Sequence, residues 1–204
     1  MVDWTWTYCS AEYLGRKSLI QSGSPKSGKW FSYKILAIIA IPTMLLLSLL
    51  VFSIAQPRPN SFSESETLSD LNGSSISIKD QAGKVQVVEF MATWCQTCKQ
   101  LTGEIDTFLT ASNATGIVFW SISIDPTHDV PTVFSKYISD NNIGEHAESG
   151  RWHFARDTEN WHVLFQVTSI PHTFFVDKNL NIIGDQLGMI TASDLQTWVN
   201  RLNL

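Results

Sequence analysis

The sequence predicts an α/β fold with a mixed central sheet and helices on both of its faces, preceded by one transmembrane helix. In the second half of the chain, apolar runs typical of buried strands alternate with segments whose apolar residues recur at helical spacing. Near the C-terminus two short strands follow each other directly, and such a hairpin adds antiparallel pairing to the sheet. The transmembrane helix is predicted from an uncharged apolar run at residues 35–55.

The apolar run at residues 35–55 is long enough to cross a bilayer. At about 1.5 Å per helical residue it spans the roughly 30 Å hydrocarbon core. Five basic residues precede it, namely Arg16, Lys17, Lys26, Lys29 and Lys34, whereas Arg58 is the only basic residue in about the first 20 positions after it. The positive-inside rule then predicts a single-pass protein of the cell membrane, with residues 1–34 cytoplasmic and the C-terminal domain extracytoplasmic. A cleaved signal peptide ending near Ala55 is the alternative, but the run is longer than the apolar region of a usual signal peptide.

Residues 56–70 are rich in serine and proline with interspersed acids, which predicts a linker. The folded domain is therefore expected at residues 71–204, which is long enough for one core. The whole chain carries a formal net charge of −5 at pH 7, and the acidic excess lies after the apolar run. This charge does not favour nucleic acid as a partner.

Within residues 71–204 the pattern predicts six strands and four helices. Alternation, continuous apolar runs and flanking turn residues predict strands at Ser75–Ile78, Val85–Met91, Ile117–Ile124, His153–Ala155, Thr173–Val176 and Asn181–Gly184. Apolar residues at helical spacing predict helices at Cys95–Leu109, Val130–Ser139, Glu159–Phe165 and Thr191–Leu202, the last with a hydroxyl cap.

Two cysteines, Cys95 and Cys98, come directly after the predicted strand Val85–Met91, where a helix is expected to begin. Unpaired N–H groups and the macrodipole at a helix start stabilise a thiolate and lower the cysteine pKa. Cys95 would then attack a disulfide, and Cys98 would resolve the mixed disulfide. Half of a zinc site and an inert structural disulfide are the alternatives. The histidines lack paired zinc spacing, and the third cysteine, Cys9, precedes the apolar run.

Two stretches, Val87–Cys98 and Thr168–Asp177, resemble the thioredoxin superfamily, and most closely its membrane-anchored TlpA/ResA-like branch. The similarity covers nearly all of the exported domain. It implies a thioredoxin-like fold and a thiol-disulfide oxidoreductase without a cofactor. It also implies a reversible disulfide between Cys95 and Cys98, with protein thiols and disulfides as partners. A reductive role would require a membrane electron donor, and relatives in this branch serve cytochrome c or copper-site maturation.

The resemblance also implies roles for residues around the cysteines. Trp94 shields the nucleophile, and Pro171 corresponds to the cis-proline whose preceding residue, Ile170, binds a substrate peptide as an added strand. Glu89 corresponds to a buried acid that shuttles the proton of Cys98, unless strand alternation turns it to solvent. An ordinary trans-proline is the alternative at Pro171. His172 is unusual after this proline and bears on substrate choice, or it faces solvent.

A second resemblance supports an alternative function. The stretches Ser123–Pro131 and Trp152–Phe154 are similar to the Sco family of membrane-tethered copper chaperones, which share the fold and serve a respiratory oxidase. Copper would then be held by Cys95, Cys98 and His172, a ligand set suited to this metal. The cysteine spacing departs from that family, in which three residues separate the two cysteines, whereas two residues separate Cys95 and Cys98. A redox-inert module would have lost a cysteine, and a peroxidase would place its attacking thiol beside an arginine.

Overall fold

The computed structural model describes residues 38–49, 57–62, 67–111 and 116–202. The chain divides into two compact units, Met1–Gln56 and Pro57–Leu204. In the first unit the described residues form one helix, α1 (38–49), whose apolar side chains are exposed. Among the described residues, no helix is long and apolar enough to span a bilayer. The predicted cytoplasmic segment 1–34 and parts of the predicted transmembrane helix 35–55 lie outside the described residues.

The second unit is built on one mixed sheet of seven strands in the order β2-β1-β5-β4-β3-β6-β7. The strands are β1 (Leu68–Asp70), β2 (Ser75–Ile76), β3 (Val85–Met91), β4 (Ile117–Ser123), β5 (Trp152–Arg156), β6 (His172–Val176) and β7 (Ile182–Leu187). The central strands β3, β4 and β5 run parallel, while β6 and β7 add an antiparallel hairpin beside β3. This agrees with the mixed sheet predicted from the sequence.

Helices cover both faces of the sheet. They are α2 (Gln96–Ala111), α3 (Pro131–Asp140), α4 (Gly144–Glu148), α5 (Trp161–Leu164) and α6 (Ala192–Leu202), with a short 3-10 helix at Ile78–Gln81. One apolar cluster joins one face of the sheet to α2, α3 and α6, and we call this the α2 face. The other cluster includes Trp161 of α5 and Phe165 just after it, and we call this the α5 face.

Alternation along β3 distributes its side chains between the two faces. Val87 and Met91 pack in the cluster of the α2 face, whereas Val88 and Phe90 pack in that of the α5 face. Every residue of β3 is buried, as expected for a central strand covered on both sides. The residue between Val88 and Phe90, Glu89, therefore points to the α2 face.

The linker predicted at residues 56–70 is wrong for the described part of that stretch. Phe62 is 2% exposed, and its ring stacks on Phe165 with centroids 4.5 Å apart. Leu68–Asp70 forms β1, which pairs with both β2 and β5. Isolated apolar residues among serines and acids give no periodic signal, yet each finds a buried position in the second unit. This unit therefore starts at Pro57 rather than at residue 71.

Candidate active site

The two cysteines lie where β3 ends and α2 begins. Cys95 and Cys98 are joined in a disulfide with their Cα atoms 5.2 Å apart. Cys98 is fully buried, whereas Cys95 keeps 8% of its surface exposed. The backbone N–H of Cys98 donates to Sγ of Cys95 at 3.1 Å. Cys95 is therefore the sulfur that a partner can reach, and its sulfur lies among the N–H groups of a helix start, which favour a thiolate.

Glu89 is buried on the same face of the sheet as this pair, with 1% of its surface exposed. Its Oε2 accepts a hydrogen bond from Ser121 Oγ at 2.9 Å, and Ser121 in turn accepts one from Trp152 Nε1 at 3.0 Å. Its Oε1 has no hydrogen-bond partner among the described residues. Burial raises the pKa of Glu89 to about 8, although the hydrogen bond from Ser121 opposes the rise. The alternative of a solvent-facing Glu89 is wrong.

A second polar chain connects Cys98 to α3. Thr102 Oγ1 donates to the carbonyl of Cys98 at 3.1 Å and is 2.6 Å from the hydroxyl of Tyr137. Burial is the main cause of a raised pKa at Tyr137, and the charge of Glu89 contributes in the same direction. Tyr137 is therefore a neutral hydroxyl. Its hydrogen bond to Thr102 and its electrostatic interaction with Glu89 connect both residues, and through Thr102 also Cys98, in one buried polar region.

Trp94 is the most exposed predicted site residue, with 58% of its surface accessible. Its Nε1 donates to Asp125 Oδ2 at 3.1 Å, so the indole is held against the loop after β4. An exposed aromatic ring beside Cys95 can cover part of the disulfide and still contact a partner.

The Ile170–Pro171 peptide bond is cis, as the resemblance to thioredoxins implied. The carbonyl of Pro171 accepts a hydrogen bond from the N–H of Gly188 at 2.8 Å, which ties this turn to the end of β7. Ile170 is partly buried and packs against both apolar clusters. The cluster of the α2 face also contains Cys95.

His172 does not lie where the copper alternative requires it. It is 7% exposed, and its ring stacks on Phe174 of the α5 face with centroids 4.5 Å apart. Its Nε2 pairs with Asp185 Oδ2 at 2.7 Å, and Arg58 donates to both oxygens of the same carboxylate. Strand alternation thus turns His172 away from the face that holds Cys98, so the structure does not assemble this ligand set.

More broadly, the described residues contain no group of three or more histidine, cysteine or acidic side chains placed to hold a metal ion. The alternative of a solvent-facing His172 is also wrong, because the ring is buried. Because the side chain of His172 is buried, the structure does not support the prediction that it contacts a substrate.

The sequence analysis missed one buried acid beside the site. Asp129 is fully buried, and Thr93, two residues before Cys95, donates to it through both its N–H and its hydroxyl. The stretch Ser123–Pro131 drew notice only for its resemblance to copper chaperones. An acid directly before a predicted helix is a common surface feature, so the pattern alone could not identify a buried one.

Comparisons with known proteins agree with this geometry. The model of the AhpC/TSA family matches residues 60–184. A thioredoxin from Ictalurus punctatus is 30% identical over 63 residues, which cover 31% of this chain and 59% of that thioredoxin. The chain thus matches somewhat more than half of the length of this curated relative.

Solved structures share the fold at low identity. StoA from Bacillus subtilis superposes with a TM-score of 0.53 at 18% identity, over 70% of this chain and 98% of StoA. A thiol:disulfide interchange protein from Chlorobium tepidum has a TM-score of 0.57 at 20% identity, over 72% and 97% of the two chains. The thioredoxin domain of a thiol-disulfide oxidoreductase from Bacteroides vulgatus has a TM-score of 0.56 at 21% identity, over 72% and 98%.

These likenesses confirm the predicted thioredoxin-like α/β fold and support the prediction of an oxidoreductase with a Cys-x-x-Cys pair. Since the family model matches well over half of the chain, this protein is a member of the AhpC/TSA family.

Proposed function

We propose that this protein is a thiol-disulfide oxidoreductase of the TlpA/ResA-like type, which exchanges disulfides with partner proteins through Cys95 and Cys98. One observation carries the proposal most directly. The disulfide joins one accessible and one enclosed sulfur at a helix start, and the same face of the sheet holds a buried acid whose pKa is about 8. An inert structural disulfide needs neither the accessible sulfur nor the acid.

In the reductive direction the Cys95 thiolate attacks a disulfide of the partner. One S–S bond breaks, a mixed disulfide with Cys95 forms, and the first partner thiolate leaves. Cys98 then attacks Sγ of Cys95, which releases the second partner thiol and leaves the Cys95–Cys98 disulfide. Two electrons pass from the dithiol to the partner, and the oxidative direction reverses each step.

Glu89 handles the proton of Cys98 in this scheme. Because burial raises the pKa of Glu89 to about 8, its carboxylate is a stronger base than an exposed one and accepts a proton from a thiol more readily. Because Cys98 is fully enclosed, solvent cannot take this proton directly. Glu89 therefore serves as the base that makes the resolving thiolate.

The turn at Ile170 and Pro171 is the proposed binding site for the partner peptide, next to the exposed indole of Trp94. The backbone of Ile170 would pair with an extended segment that carries the reacting cysteine. This gives protein thiols and disulfides as substrates and requires no cofactor.

We further propose that residues 35–55 anchor the protein and that residues 57–204 lie outside the cytoplasm. The uncharged run and its basic N-terminal flank support this placement. In that compartment a reductive role requires a membrane protein that supplies electrons, and maturation of cytochrome c or of a copper site is the proposed context.

The exchange activity is tested with a fluorescent peptide disulfide and glutathione as the reductant. Cys95→Ser is expected to abolish turnover. With glutathione left out, Cys98→Ser is expected to accumulate a stoichiometric mixed disulfide between Cys95 and the peptide, visible by mass spectrometry. Cys9→Ser serves as the matched control and is expected to keep full activity. If Cys98→Ser forms no adduct, the proposal fails.

The placement is tested with a membrane-impermeant maleimide on intact cells after mild reduction. Cys95 is expected to be labelled and Cys9 protected, because the two lie on opposite sides of the proposed anchor. Labelling of both thiols, or of Cys9 alone, would contradict the orientation.

A further inference from the structure

The loop between β4 and α3 places a buried carboxylate against the residues that precede Cys95. Asp129 is fully buried and accepts four hydrogen bonds. Thr93 donates its N–H at 2.9 Å and its hydroxyl at 2.5 Å, and Ser123 donates its hydroxyl at 2.5 Å. Nδ1 of His128, which is half exposed, is the fourth partner at 2.7 Å.

The same loop also holds Trp94. The carboxylate of Asp125 accepts from the indole Nε1 of Trp94 at 3.1 Å, from the Thr127 hydroxyl at 2.8 Å and from the N–H of His128 at 3.1 Å. Both residues that lead into Cys95 are thus bound by carboxylates of one short loop. The position of the nucleophile depends on this loop as well as on the start of α2.

Asp129 carries a negative charge in this position. Burial alone would raise the pKa of Asp129, but hydrogen bonds from Ser123, Thr93 and His128 outweigh it and hold the pKa below its usual value. Thr93 is two residues from Cys95, so their Cα atoms are at most about 7.6 Å apart. The charge of a carboxylate that accepts from the Thr93 N–H therefore opposes a second negative charge on the Cys95 sulfur.

We propose that Asp129 is a positioning residue for the exchange reaction proposed above: its carboxylate holds the turn before Cys95, and its charge disfavours the Cys95 thiolate and makes the dithiol more reducing. The inference rests on the proposed function. A stabilised thiolate favours the reduced form of a pair and makes it an oxidant, so a destabilised thiolate has the opposite effect.

The test compares Asp129→Asn with Asp157→Asn. Asp157 is a second fully buried carboxylate that binds a histidine and two backbone N–H groups, but it does so at α5. Both variants lose a buried charge within a similar network, and Asp157 serves as the matched control for a general loss of stability. All proteins carry Cys9→Ser and Cys98→Ser, so Cys95 is the one remaining thiol.

The first readout is the pH dependence of the iodoacetamide reaction at Cys95, followed by mass spectrometry. Asp129→Asn is expected to lower the apparent pKa of Cys95 by about 0.5–1 unit, a threefold to tenfold change in thiolate population. In the Cys9→Ser dithiol protein at pH 8, the same change corresponds to a rise in reduction potential of about 15–30 mV. Asp157→Asn is expected to leave both values unchanged.

Thr93→Val separates charge from position, because it removes one donor and leaves the carboxylate charged. It is expected to shift the pKa of Cys95 by less than half as much as Asp129→Asn. An equal or larger fall in Thr93→Val would overturn the charge argument, and so would an unchanged pKa in Asp129→Asn.

If Asp129→Asn does not fold, Asp125→Asn is measured in its place, because Asp125 lies in the partly exposed part of the same loop. This variant is expected to lower the pKa of Cys95 enough to raise the thiolate population about twofold. An unchanged pKa, or a rise, would count against the proposal. Alkylation of Cys95 needs no partner protein. These measurements therefore stay decisive even if the wild-type protein fails to turn over the peptide disulfide.

Discussion

Replacing Glu89 by glutamine tests the central electrostatic feature of the site through the stability of the protein. The folded state holds the pKa of Glu89 at about 8, against an ordinary value of 4.5, because the carboxyl group is fully buried. Between these values the unfolded chain releases the proton and the folded protein keeps it. The free energy of unfolding therefore falls as the pH rises from 4.5 towards 8, and the loss is complete above that range.

The magnitude follows from the size of the shift. One pKa unit corresponds to about 1.4 kcal/mol, so the three units between pH 5 and pH 8 correspond to about 4 kcal/mol. No correction for solvent screening applies, since 1% of the side chain is exposed. Glutamine has nearly the same shape, keeps an acceptor for Ser121 and does not titrate. Between pH 5 and pH 9 the free energy of unfolding of Glu89→Gln is thus expected to fall by about 4 kcal/mol less than that of the wild type.

The assay is equilibrium urea unfolding of the oxidised full-length protein at pH 5, 7 and 9, followed by tryptophan fluorescence. Glu145→Gln serves as the control, because this glutamate is exposed on α4. Parallel pH profiles for the wild type and Glu89→Gln would refute the argument. They would mean that Glu89 is ionised in the folded state or has access to water.

Four further substitutions have expected outcomes. Gly184→Ala should destabilise the protein by about 1–3 kcal/mol, because a Cβ there would lie 2.6 Å from the Trp198 ring. Gly103→Ala should stabilise the protein by up to about 1 kcal/mol, because this helical glycine has open space around its Cβ position. Phe62→Ala should cost about 3–5 kcal/mol, since the ring is buried, and an unchanged urea midpoint would restore the linker interpretation. His172→Ala should lower thermal stability by several degrees without changing the rate at which Cys95 is alkylated, because the ring lies on the α5 face.

Local patterns predicted most of the regular structure. The run Val85–Met91 was predicted with the bounds that the structure shows, and the predicted bounds of α2 and α6 differ from the observed ones by at most two residues. These elements have strong signals, since their residues are buried in a regular alternation or on one helical face. The strand β1 was missed because Leu68 is its only apolar residue, and one of its two pairing partners, β5, is distant in sequence.

Long-range geometry also decided the roles of individual side chains. Alternation alone could not tell whether the side of β3 that carries Glu89 is covered or faces solvent. Glu89 could therefore have been interpreted as buried or as exposed. The same uncertainty allowed His172 to be assigned to a copper site. The structure resolves both cases, since Glu89 shares a face with Cys98 and His172 stacks on Phe174 on the opposite one.

By itself the sequence determined the cysteine pair at a helix start, the succession of strands and helices, and the resemblance that identified Pro171, because each of these depends on residues close together in the chain. Only the tertiary structure decided that Cys95 is the accessible sulfur, that Glu89 is enclosed and carries a raised pKa, and that Asp129 binds the turn before Cys95. Burial and electrostatic interaction depend on which segments pack together, and those segments lie tens of residues apart in this chain.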